Sequence, residues 1–209
     1  MSKNRIYKEV ENIIEKSHAF FVFSRRTSVI SSLISNLLPS NSNILDIGCG
    51  DGTIDRKILS LRPDIKITGL DVLKRKKPLI PVIVFDGKTI PFADNSYDSV
   101  LLIDTLHHAS SPENLLKEAV RVSRKYIIIK DHYLGGKMSL YILRFMDWIG
   151  NDAHDVNLPY NYYSYQKWEK IFEELGLSKD KVITRLNIYP FPFNLVFGRN
   201  YHFLAQLRK

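Results

Sequence analysis

A second cysteine is missing from this chain: Cys49 stands alone among 209 residues, so no internal disulfide framework can form. That usage suits a reducing compartment, and a cytoplasmic chain is expected. No apolar run approaches the roughly 20 residues that cross a bilayer. The opening segment MSKNRIYKEVENIIEK is charged at helical spacing and lacks the apolar stretch of a secretory leader. Repeats and low-complexity linkers are absent, which leaves a single domain over residues 1–209 as the expectation. Acids are scarce against bases, 22 to 30, for a net charge of +8 and a pI near 9.4. Such a balance admits nucleic acid or an anionic surface as a partner without requiring either. The densest basic run, Lys74-Arg75-Lys76-Lys77, is short enough to be a solvated loop.

What is present is a hydrophobic content of 44%, enough for a sizeable core, in an alternating pattern. Amphipathic spacing predicts helices over 5–18 and 25–38, joined by the aromatic segment Ala19-Phe20-Phe21-Val22-Phe23. Strands are expected near 43–47, 65–70, 81–85, 98–103, 125–130, 182–189 and 199–207. Helices are expected near 52–60, 112–121, 136–149 and 165–175. Ser111 before Pro112 and Glu113 reads as a helix start with a hydroxyl cap, and Ser164 as the cap of a helix that Gly176 ends. Alternating strands and helices imply an α/β fold with a doubly wound, mostly parallel sheet. Ligands of such sheets lie beyond the carboxyl ends of the strands.

One segment concentrates the chemistry: Asn43-Ile44-Leu45-Asp46-Ile47-Gly48-Cys49-Gly50-Asp51-Gly52. A short apolar strand runs into an acid and then into glycines at alternate positions. Without a Cβ the chain can turn sharply and let a ligand touch the main chain. Cys49 reads as a small residue that fits within this loop. Acids recur at the ends of four successive predicted strands, as Asp46, Asp71, Asp86 and Asp104. In register they would form a row of carboxylates along one sheet edge, a costly arrangement without a purpose. A nicotinamide dinucleotide is the rival ligand for the loop. Its fingerprint needs a third glycine one residue later, where Thr53 stands.

The downstream text adds Phe85-Asp86-Gly87-Lys88-Thr89-Ile90-Pro91-Phe92, Asp94-Asn95-Ser96-Tyr97-Asp98, Asp104-Thr105-Leu106-His107-His108 and Glu118-Ala119-Val120-Arg121-Val122. With these motifs the chain resembles class I S-adenosylmethionine-dependent methyltransferases. It is most similar to the methyltransferase type 11 group, which includes ubiquinone and menaquinone biosynthesis enzymes. The resemblance covers about residues 40–131. It implies a Rossmann-like sheet of seven strands with an antiparallel last strand. It implies S-adenosylmethionine as cofactor, with Gly48, Cys49, Gly50 and Gly52 around its methionine part and Asp46 anchoring the amino group. Asp71 would hold the ribose hydroxyls, Val72 or Leu73 would pack on adenine, and Asp86 beside Gly87 would accept from the adenine amino group. Asp104 and Thr105 would line the cavity near the methyl. By the same comparison, residues 1–38 are N-terminal helices, 39–131 the cofactor core, 132–181 a helical substrate cap and 182–209 the closing strands. The chain departs from the family in two places. Only nine residues, 72–80, separate Asp71 from the third strand, too few for the usual helix. Arg124-Lys125 replace a Pro-Gly-Gly turn before the fifth strand, which implies a tight connection.

His107, His108 and, after the fifth strand, His132 are the candidates for a general base, because imidazole takes a proton near neutral pH. The His107-His108 pair could equally pack as structure against the cofactor loop. The polar loop 151–163 carries His154, Tyr160 and Tyr162 as candidate substrate contacts, and it reads either as a lid or as a docked surface loop. No motif supplies metal ligands. The expected activity is methyl transfer to a small-molecule or lipid-like acceptor. The alternatives are an RNA or protein methyltransferase, for which no appended module or motif speaks, and a cofactor-binding partner subunit without catalysis.

Overall fold

The computed structural model describes residues 22–151, 159–198 and 201–209. The helix expected over 5–18 lies outside them. Seven strands alternate with helices. After the helix α1 (22–35) come β1 (Asn43–Ile47), α2 (Thr53–Leu61), β2 (Lys66–Asp71), β3 (Val82–Val84) and β4 (Tyr97–Ile103). Then follow α3 (Pro112–Val122), β5 (Ser123–His132), α4 (Lys137–Asn151), α5 (Tyr165–Glu174), β6 (Ser178–Ile183) and β7 (His202–Arg208). The sheet order is β3-β2-β1-β4-β5-β7-β6. Pairings from β3 through β5 are parallel, and β7 runs antiparallel to both of its neighbours. This is the doubly wound sheet that the alternation predicts.

Side chains alternate across the strands, so each strand feeds two cores. Leu45, Ile47, Val100, Leu102, Ile127 and Ile129 face α3 and α5, through Leu116, Ala119, Trp168 and Phe172. Ile44, Ile67, Leu101, Ile103 and Ile128 face α1 and α2, through Ile30, Ile34 and Ile58. Within the segment expected to cap the site, α5 is thus a layer helix against the sheet.

Several details differ from the sequence expectation. β6 spans Ser178–Ile183 instead of 182–189. The later residues make no ladder; Leu186 and Ile188 bury themselves on the α1–α2 side of the sheet. An apolar alternation can serve burial without pairing. The Ser111 hydroxyl makes no cap, although the helix begins at Pro112 as expected. Ser164 does cap α5, accepting from the Lys167 N–H, and Gly176 leaves the helix at φ 67°. Two expected peculiarities hold. β5 begins directly at Ser123 behind α3, and no helix lies between β2 and β3. The thin connection leaves Ile83 and Val84 of the edge strand exposed.

Candidate active site

The glycine loop joins β1 to α2. Gly48, Gly50 and Gly52 all have positive φ, at 76°, 61° and 79°. Their missing Cβ atoms serve different neighbours. A Cβ on Gly48 would lie 2.4 Å from Thr105 Oγ1, and one on Gly52 would lie 2.6 Å from Ile80 Cγ1. A Cβ on Gly50 would meet nothing within 4 Å, so that α-carbon opens on free space. Cys49 packs its sulfur over Gly69 of β2. Burial and the nearby Asp46 push its thiol up, so it stays protonated. Thr105 turns its hydroxyl to the backbone oxygens of Ile47 and Ile103, at 3.0 and 3.1 Å. It ties the end of β4 to the loop.

Asp71 ends β2 and organises the same space. Its Oδ2 accepts from the Gly50 N–H and its Oδ1 from the Leu73 N–H, both at 2.8 Å. Beyond it, Val72 is half exposed, and its Cγ1 lies 3.0 Å from where a Gly87 Cβ would stand. Asp86 is exposed. Its Oδ1 accepts from the Lys88 and Thr89 N–H groups at 2.8 and 2.9 Å, and these bonds hold its carboxyl below the ordinary value. Arg121 and Glu118 clamp this loop from α3. Arg121 donates to Glu118, Asp94 and the carbonyls of Ile90 and Phe92.

Asp46 is buried on the α2 side of β1, and its Oδ1 has no partner among the described residues. Beside it, fully buried in the first turn of α2, stands Asp55, which the sequence reading did not single out. Burial first, and then the charge of Asp55, raise Asp46 well above the carboxylate range. Burial pushes Asp55 up to about 6, against the hydrogen bond with Asp46.

At the ends of β4 and β5 lies a buried polar cluster. His107, in the short helix Leu106–His108, directs Nδ1 to Asp131 Oδ1 at 2.7 Å. Both residues are only 1% exposed. His132 Nδ1 lies 3.3 Å from the same oxygen and 3.7 Å from Asp104. Asp104, at φ 52°, pairs with Lys130 and with Arg26 of α1. The carboxylate expected to line the methyl side is thus committed to two cations of the chain. Lys130 also reaches His202 Nδ1 at 3.2 Å. Arg26, Lys130 and His202 were not expected. The signal for Lys130 was a charge directly after the apolar run Tyr126–Ile129, inside the same strand.

Burial raises Asp104 and Asp131, but the cations and imidazoles around them win and hold both low. Burial and Lys130 lower His132 and His202, so both imidazoles stay neutral. Asp104, His107, Asp131 and His132 bring a donor atom each within 4.8 Å of one another, a spacing an ion could bridge. Lys130 and Arg26 already balance the two carboxylates.

The residues at 159–163 close over this cluster. Tyr162 is buried, with its ring stacked on His107 at 5.6 Å and edge-on to His132 at 6.0 Å. Asn161 donates its N–H to the His107 carbonyl and its side chain to Ala109 O. Tyr160 lies 6.2 Å from Tyr162, under the Arg144 guanidinium. The His108 ring lies tilted against that of His107, with centroids 4.0 Å apart. His154 falls outside the described residues. Leu73 and Gly87 flank the same carboxyl end of the sheet. The expected site residues thus gather at one edge, except that Asp104 and Thr105 are spent on the chain itself.

The residues present fit S-adenosylmethionine. An open α-carbon at Gly50, a buried acid with an unpartnered oxygen and a second acid rigidly held at the next strand end match a ligand with an ammonium group and a diol.

Comparison with known proteins agrees. Residues 45–128 match a family described as methyltransferase domain. Demethylmenaquinone methyltransferase of Renibacterium salmoninarum is 34% identical over 86 residues, 39% of this chain and 36% of that protein. The tRNA (carboxymethyluridine(34)-5-O)-methyltransferase of Arabidopsis thaliana is 37% identical over 91 residues, 40% of this chain and 20% of that protein. The chain spans well under half the length of the curated relatives it matches. An S-adenosylmethionine-dependent methyltransferase of Thermotoga maritima superposes with TM-score 0.62 at 20% identity, over 94% of this chain and 96% of that one, which shows the shared fold. Residues 45–128 of this chain are thus similar to a methyltransferase domain, on a fold shared with an S-adenosylmethionine-dependent methyltransferase.

Proposed function

We propose that the chain transfers a methyl group from S-adenosylmethionine to a small-molecule or lipid-like acceptor. The observation that carries this reading is a cofactor loop and a buried His107–Asp131 pair at the same sheet edge. Bound S-adenosylmethionine supplies an electrophilic methyl on a sulfonium. The protein then has to position two reactants and exclude water. Asp71 orients the ribose and keeps Gly50 in place. Asp131 holds the His107 Nδ1 proton, which leaves Nε2 as the basic nitrogen. That nitrogen takes the proton of an acceptor that still carries one at the moment of attack. Tyr162, stacked on His107, forms a wall of the acceptor space.

A tRNA acceptor is the second reading, favoured by the Arabidopsis relative and the net charge of +8. No helix among the described residues is long and apolar enough to cross a membrane.

Thermal melting with S-adenosylhomocysteine and with NAD tests the cofactor. Ligand binding to the native state should raise the melting temperature with the first alone. Stabilisation by NAD alone overturns the reading. Release of S-adenosylhomocysteine on turnover, screened against lipid-like acceptors and against tRNA, separates the two acceptor classes. With an acceptor in hand, Tyr162→Ala should change its use more than cofactor affinity.

A further inference from the structure

Asp46 and Asp55 are an unusual pair. They are 2% and 0% exposed, one at the end of β1 and the other in the first turn of α2. Asp46 Oδ1 and both oxygens of Asp55 lack any donor among the described residues. Each carboxyl lies within electrostatic reach of the other. Among the described residues their surroundings add no compensating cation. Asp71 faces them from β2, Asp51 and Cys49 from the glycine loop. From α1 the nearby group is the Ser31 hydroxyl, which donates to Ile54 O. Two carboxylates cannot both stay ionised in such a place, and a proton between them satisfies both.

We propose that Asp46 and Asp55 share one proton in the free protein and release it when the cofactor's ammonium group arrives, so that cofactor affinity is coupled to pH. This rests on the cofactor reading above, in which Asp46 meets that ammonium. A cation beside Asp46 supplies the counter-charge that the proton supplied before. The proton leaves to the buffer, and the two carboxylates then face one ammonium and the positive end of α2. Asp55 acts as a positioning residue for the cofactor, through Asp46.

Calorimetric titration of the full chain with S-adenosylhomocysteine tests this. The range is pH 5.5 to 7.0, where the ligand's amino group is charged, with buffers of different ionisation enthalpy. The expected result is release of close to one proton per ligand, and a dissociation constant that falls up to tenfold for each pH unit. In Asp55→Asn, Asp46 keeps its burial but loses the charge of Asp55, so the release and the pH dependence of the affinity should shrink and move to lower pH. Circular dichroism and melting establish that this variant is folded, and the wild-type measurement stands without it. Wild-type affinity that is flat across the range, or proton release in Asp55→Asn that matches the wild type in amount and in pH, overturns the proposal while leaving the cofactor reading intact. Absence of any binding by the wild type removes the cofactor reading, and this proposal with it.

Discussion

Replacing Asp71 probes the cofactor site most directly. Its two oxygens each accept a backbone N–H at 2.8 Å, from Gly50 in the glycine loop and from Leu73 beyond the strand. Under the cofactor reading its remaining lone pairs accept from the ribose diol. Asp71→Ala removes both functions. Hydrogen bonds to a charged group contribute roughly 1.5–3 kcal/mol, so the dissociation constant for S-adenosylhomocysteine should rise roughly 10- to 150-fold. Losing the two backbone contacts should also lower the melting temperature of the free protein by about 2–4 °C per kcal/mol lost. Asp71→Asn should fall between, since one of its two terminal groups is now a donor facing a donor. Calorimetry measures the affinity, and a melt without ligand separates binding from folding. A folded Asp71→Ala variant that binds S-adenosylhomocysteine within twofold of wild type would falsify the ribose assignment.

Two further outcomes are expected. Lys130→Met should destabilise the fold by about 3 kcal/mol in urea denaturation. That is the lower end for breaking a buried pair, because Arg26 still faces Asp104; a loss below about 1 kcal/mol would mean the ammonium is not needed there. Asp46 and Asp55 have raised folded values, so their stabilisation is complete below the unfolded value of about 3.9 and is lost as pH rises toward and past about 6. Without ligand, the melting temperature of Asp55→Asn relative to wild type should therefore climb between pH 4 and 7, and a constant or falling difference would refute the shared proton.

Part of the site was legible because β1, β2 and β4 end close together at one sheet edge, each with an acid at or near its end, although Asp46, Asp71 and Asp104 are staggered by two to three residues. Such periodicity is local and survives in one sequence. Asp55 was not legible. A helix residue nine positions after Asp46 has no sequence mark that says it turns inward. Only packing α2 against β1 brings the two together. Asp104 shows the opposite case. Its position at the strand end was readable, but its carboxylate belongs to Lys130 and Arg26, partners 26 and 78 residues away. Likewise the strand expected over 182–189 carried a valid apolar pattern, but past Ile183 the core used Leu186 and Ile188 without a ladder.

The placement of β7 has a consequence for how the chain assembles. It is the last strand in sequence, yet it sits between β5 and β6. Until residues 202–208 are made, β5 presents Ile127, Ile128 and Ile129 along an open edge, and β6 has no neighbour to pair with. Strand edges of that kind recruit other strands. A ribosome-bound nascent chain would hold a finished cofactor half, β1 to β4, beside an unsealed one. Premature release should favour aggregation through β5, and a holding chaperone would act on this interval.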